Sequence, residues 1–191
     1  MSTRGCFGFC KGGVNKLVYS HYDSYPKGLG EKFIEFLKWY EQEKSLLSKS
    51  VFDSIIQVDS SKEPTLDVKE WSVKNKLFDL GVSRKTLNDW YCLLRGLQEP
   101  SAWKNILIKN EPIYIDLADS KFIKDSYCEY AYIYDLDKRK LKFYSTPAVP
   151  EHGVYWEIPF GVIETLEVSD ISGAMDVIEE INCWNETGNA Y

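Results

Sequence analysis

The chain has 191 residues, 44% of them hydrophobic, with 23 Lys and Arg against 29 Asp and Glu and a net charge of −6. That length holds one well-buried core or at most two small ones, and the acidic balance excludes nucleic acid as the default partner, because phosphate binding takes clustered Lys and Arg. No apolar run approaches a membrane span and no apolar segment follows a basic start, so neither a membrane partner nor a signal peptide is expected and the cytoplasm is the expected compartment.

In chain order, two strand-like runs flank Lys11-Gly12-Gly13, the second from Val14 to Tyr19. Glycine at a two-residue turn supplies the positive φ that a tight hairpin needs. Leu29, Phe33, Phe36, Leu37 and Tyr40 then recur at helical spacing, opposite Glu31, Lys32, Glu35, Lys38 and Glu41. A short helix is expected over Val51 to Val58, and the polar run Ser60 to Pro64 breaks the pattern. A further helix spans Val68 to Leu80, with Gly81 as its stop. Ser83 is the expected N-cap of the next, which carries Leu87, Trp90, Tyr91, Leu94 and Leu97. Pro100 closes that helix, and a short one follows from Ser101 to Ile108.

The last third switches period. Tyr127 to Tyr134 is dense in aromatic and branched residues and reads as a strand. Asp135 to Lys140 makes a turn, and Leu141 to Tyr144 returns as its partner. Val154 to Ile158 and Val162 to Val168 read as two more strands, separated by Pro159-Phe160-Gly161. A closing helix starts at Asp170 or Ser172, with Ala174, Val177, Ile178 and Ile181 on its inner face. Strands at both ends with helices between them make one α+β domain over residues 1–191. The hairpin and the C-terminal strands are expected to form a single antiparallel sheet packed with helices.

The segment after the second strand, Ser20-His21-Tyr22-Asp23-Ser24-Tyr25-Pro26, gathers hydroxyl, imidazole, carboxylate and phenol groups. His21 and Asp23 sit two apart, so on a strand they face one side and suit a base and its orienting partner. The five cysteines are widely spread. Cys6 and Cys10 share a strand face about 13 Å apart, too far for a disulfide, so reduced and mostly buried thiols are expected. Cys128 is a nucleophile for His21 or His152 only if the fold joins them. With no CxxC pair and only two histidines, no zinc site is expected. Asp23, Asp125, Glu129 and Asp135 carry oxygens suited to a hard cation, but acidic residues in turns usually cap or solvate. No metal and no cofactor are therefore expected.

The residues Thr3-Arg4-Gly5, Gly8-Phe9, Lys16, Tyr19-x-His21-x-Asp23-Ser24-Tyr25-Pro26 and Leu29-Gly30 form one block. Asp125 to Tyr132 with Asp135-Leu136-Asp137 form a second. Together they resemble a group of small bacterial and phage-encoded proteins for which no reaction is assigned. The start of the chain more loosely resembles the N-terminal-nucleophile hydrolases, whose catalytic Cys, Ser or Thr opens the first strand and is activated by its own α-amino group. That resemblance implies loss of Met1 to leave Ser2 at the terminus, with Arg4 holding a substrate carboxylate and His21, Asp23 and Tyr25 nearby. A first-position Cys is missing, since Cys6 lies too far inside.

Two functions from different classes follow. One is a polar pocket at the end of the hairpin for a small molecule or peptide end, with Arg4, Tyr25, Asp125 and Glu129 as ligand-binding residues. Its enzymatic form is amide hydrolysis by Ser2 or Thr3 assisted by His21 and Asp23. The other is a non-catalytic interaction protein of the kind phages use to bind and inhibit a host protein, its aromatics anchoring the contact. The oligomeric state is left open.

Overall fold

A computed structural model of the chain describes residues 3–116, 128–145 and 154–187. The chain opens with strands β1 (Gly5–Lys11) and β2 (Val14–Ser20), a single π-helical turn (Pro26–Gly30) and helix α1 (Glu31–Glu43). Helix α2 (Val51–Ser54) runs into β3 (Ile55–Gln57), followed by α3 (Leu66–Lys74), α4 (Trp90–Leu93), a 3-10 turn (Arg95–Gln98), α5 (Pro100–Ile108) and β4 (Ile113–Ile115). Strands β5 (Tyr130–Asp135), β6 (Lys140–Ser145) and β7 (Val154–Pro159) then lead into α6 (Phe160–Thr165) and α7 (Val168–Thr187).

The fold is α+β. Its main sheet has five strands in the order β2-β1-β5-β6-β7, and β3 and β4 pair parallel in a small second sheet. The hairpin does join the C-terminal strands, but β1 runs parallel to β5, so the main sheet is mixed and not wholly antiparallel. A parallel partner needs a long crossover, and the chain from β2 to β5 supplies it with helices α1 to α5.

Strand β1 is buried on both faces. Phe7 and Phe9 point to one side, where they meet Phe33 and Phe36 of α1, Trp103 of α5 and Tyr134 of β5 at ring-centroid distances of 5.2–6.3 Å. The other side carries Cys6, Cys10, Leu17, Ala131 and Ile133, also buried. Gly8 lies between Cys6 and Cys10 on that face, and a Cβ there would stand 2.1 Å from the Lys16 carbonyl oxygen. The expected turn glycines hold, with Gly12 at φ 57 and Gly13 at φ 78. The four described cysteines Cys6, Cys10, Cys92 and Cys128 are free and buried.

Several expected elements differ, each for a local reason. The run Val162 to Val168 is not a strand: Pro159 leaves β7 in extended geometry and Phe160 and Ile163, one turn apart, bury the face of α6. In α7 the buried residues are Ile171, Ser172 and Met175, while Ala174 and Val177 are exposed. The helix starts at Val168 and its apolar face is phased one position earlier than expected. Helix α3 ends at Lys74 because Asn75 leaves helical geometry and Lys76 turns left-handed at φ 57, well before Gly81. Ser83 and Lys85 are also left-handed, so no long helix forms after Ser83; Asp89 caps the four-residue α4 instead. Helix α2 stops at Ser54, where the chain turns extended to pair with β4.

Amides of Phe7 and Phe9 are expected to exchange with solvent as slowly as those of Tyr132 and Tyr134, read by hydrogen-exchange mass spectrometry; fast exchange across the hairpin contradicts the placement of β1. Gly8→Ala is expected to cost about 3 kcal/mol or more, the upper end of overpacking, because its clash is with backbone.

Candidate functional site

Strand β2 ends at Ser20, and the residues after it turn away from the ladder. His21 and Asp23 therefore do not share a strand face. Asp23 sits at φ 51, and its carbonyl accepts from the Leu29 amide at 2.8 Å. Gly28 is needed there, since a Cβ would stand 2.0 Å from that carbonyl oxygen. Tyr25 precedes the π-helical turn, and its carbonyl accepts from Gly28 N at 2.9 Å. The Ser24 carbonyl accepts from the buried Tyr132 hydroxyl at 2.9 Å, and Gly30 lies against the Tyr132 ring. Most of the Asp23 to Gly30 motif thus shapes the reversal from β2 into α1.

His21 has a different partner. Its Nδ1 lies 2.6 Å from the Tyr19 hydroxyl, and its ring packs edge-on to Tyr22 at 4.4 Å and Tyr91 at 6.2 Å. The imidazole sits below its ordinary pKa, first because burial disfavours the charged form and then because Arg95 and Arg4 repel a third positive charge. Burial and the neighbouring Tyr91 hold the Tyr19 phenol above its ordinary value, against the pull of Arg4 and Arg95. Tyr19 therefore stays protonated and donates to Nδ1, which leaves the proton of neutral His21 on Nε2.

Arg95 comes from the 3-10 turn. Its guanidinium lies between the rings of Tyr22 and Tyr91, 5.2 and 5.3 Å from their centroids. Its Nη1 donates to Gln98 Oε1, which also accepts from the His21 amide at 3.0 Å. Gln98 thus pins the exit of β2 to the 3-10 turn. Arg4 precedes Gly5, whose ladder partner is Ser20, so it stands beside the same exit. Glu129 brackets the Arg4 backbone: its carboxylate accepts from Arg4 N at 3.0 Å and its amide donates to the Arg4 carbonyl at 2.8 Å. Behind Tyr22 and Arg95 lies a pocket of about 400 Å³, lined also by Lys76, Phe78, Asp79 and Gln98.

Of the expected site residues, the structure brings Arg4 and His21 together, with Glu129 on the Arg4 backbone. It places Asp23 and Tyr25 in the reversal. Thr3 contributes its carbonyl, which accepts from Ser24 N at 3.3 Å. Ser2, Asp125 and His152 lie outside the described residues. Cys128 is buried, 3.8 Å from Cys6 Sγ and donating to the Tyr130 carbonyl, and so is committed away from His21. Among the described residues no cluster of three or more His, Cys, Asp or Glu is arranged to hold a metal ion. Tyr22, Tyr91, Arg95 and Gln98 complete the site without any motif to announce them. Among the described residues no helix is long and apolar enough to cross a membrane.

Comparison with protein-family models, with curated proteins and with solved structures finds no match for this chain. The resemblance to the bacterial and phage-encoded group therefore rests on its motifs alone.

The depressed imidazole has a sign that can be checked. An unfolded histidine takes its proton first as pH falls through about 6.5, so His21 favours the folded chain fully above that value. Its contribution is lost as pH falls through the lower folded value. Denaturant melts on either side of this window are expected to show a smaller acid-induced loss of stability for His21→Asn than for the parent chain. Equal losses contradict the assignment.

Proposed function

We propose that this chain is a binding protein, working in the cytoplasm, whose ligand presents an anionic group to the exit of the N-terminal hairpin. The ligand is a small molecule or the carboxylate end of a peptide. One observation carries the reading: Arg95 is held between Tyr22 and Tyr91 and tied to Gln98, on the wall of a pocket of about 400 Å³. A guanidinium clamped between rings loses little freedom on binding and keeps a donor edge for an oxyanion. Pockets that fix a ligand with few polar groups on an apolar wall commonly start near this size.

Three groups support an anion. Arg4 and Arg95 are cationic, and neutral His21 offers a third donor at Nε2. The carboxylates of the pocket wall are engaged elsewhere: Glu99 pairs with Lys32 at 2.9 Å and Asp79 accepts from the Gly81 amide at 2.7 Å. Binding is favoured over amide hydrolysis because the nitrogen His21 would need as a base is taken by Tyr19, and Thr3 is used through its backbone. The buried free thiols suit a reducing compartment.

The test is a thermal-shift series with carboxylates and phosphate esters. An anion at ten times its Kd stabilises a one-site protein by about 1.4 kcal/mol, which for a chain of this size is a rise of roughly 3–6 °C in Tm. Arg95→Gln is expected to remove that rise while its unliganded melt remains cooperative. A series in which no anion shifts the parent melt, or in which Arg95→Gln responds as the parent does, overturns the reading.

A further inference from the structure

We infer that the cluster of Arg4, His21 and Arg95 binds an oxyanion together with one proton, which lodges on His21. The inference rests on the anion-binding reading above and adds the chemistry of the head group and its regulation by pH.

The groups that face His21 come from four parts of the chain. Tyr19 and Tyr22 flank it on its own strand and turn, Tyr91 reaches it from α4, Arg95 and Gln98 from the 3-10 turn, and Arg4 from the segment before β1. The two ions among them are both cations. While the site is empty, their field and partial burial keep the imidazole neutral. An oxyanion lodged against the two guanidiniums cancels that field, and protonation of the ring becomes favourable.

The hydrogen bonding allows the change without rebuilding the site. The proton arrives from solvent at Nδ1, and no covalent bond between heavy atoms forms or breaks. The Tyr19 hydroxyl, 2.6 Å away, turns from donor to acceptor, which a phenol can do. Both ring nitrogens are then donors, Nδ1 to Tyr19 and Nε2 to the anion. Phosphate and carboxylate heads share this chemistry. Linkage makes the coupling reciprocal: the anion raises the affinity for the proton as much as the proton raises the affinity for the anion.

The experiment is calorimetric titration of the full chain with sulfate, a tetrahedral probe that does not titrate, and with acetate, a planar one. It is run between about pH 7.5 and 5.5, the range in which histidine titrates, in pairs of buffers of different ionisation enthalpy. Affinity is expected to rise as pH falls, approaching about tenfold per pH unit, with uptake approaching one proton per anion. His21→Asn is expected to bind with no pH dependence and no uptake. Preference for sulfate names a phosphate-like head and preference for acetate a carboxylate, and either supports the inference. Binding by the parent chain without proton uptake, or uptake retained in His21→Asn, overturns the inference and leaves the anion reading standing. Failure of both probes to bind overturns both.

Discussion

The structure depends on a strand that has no face for solvent. Residues Gly5 to Cys10 are all buried, and the strand is paired on both edges, antiparallel to β2 and parallel to β5. Aromatic pairs of the geometry seen around Phe7 and Phe9 contribute about 0.5–1.5 kcal/mol each beyond the area they bury. On the far face there is room only for thiols, small side chains and Gly8. A one-residue slip of register would drive Phe7 and Phe9 into that face and bring the thiols onto α1. The hairpin register is therefore fixed twice, by the Gly12-Gly13 turn and by the unequal space on the two sides.

The parallel pairing then organises the rest of the chain. Since β5 cannot follow β2 by a tight turn, the intervening residues must cross over, and their helices pack where the aromatic face of the sheet awaits them. Ile55, Ile113 and Ile115 of the small sheet join the same buried cluster as Phe7 and Phe9. Lys16 ties these layers together: its ammonium donates to the carbonyls of Phe52 and Ile55 at 2.8 and 2.7 Å, at the end of α2. The outer strand β2 would leave an unpaired rim. The 3-10 turn meets it there through Gln98, and that meeting brings Arg95 to His21. The candidate site is thus a product of how the sheet edge is covered.

Periodicity made the hairpin, α1, α5 and the β5–β6 pair readable from the residues, because each is long or strongly patterned and ends on a Gly, Pro or charged turn. It failed from Leu66 to Gln98, where left-handed Lys76, Ser83 and Lys85 interrupt apolar spacing that otherwise suits a helix. Such positions are decided by tertiary contacts that a single window of sequence does not contain. Val162 to Leu166 misled for a related reason, since a short apolar run serves a strand or a helix equally. At the site, Arg4 and His21 stood out by their chemistry beside a strand end. Arg95 and Gln98 had no such signal: they follow an ordinary apolar run and gain their role only when the turn meets β2. Asp23 and Tyr25 drew attention as functional groups, yet the backbone of the reversal accounts for their placement.

The central claim is that an anion is bound where the end of the hairpin meets the 3-10 turn. Amide chemical-shift mapping of the isotope-labelled chain during titration with sulfate tests it most directly. The account predicts shifts concentrated at Arg4, at His21 to Asp23, and from Tyr91 to Gln98, with Lys138 to Lys140 in the basic β5–β6 turn unmoved. Shifts centred on that basic turn, or an unchanged spectrum at saturating sulfate, would contradict it.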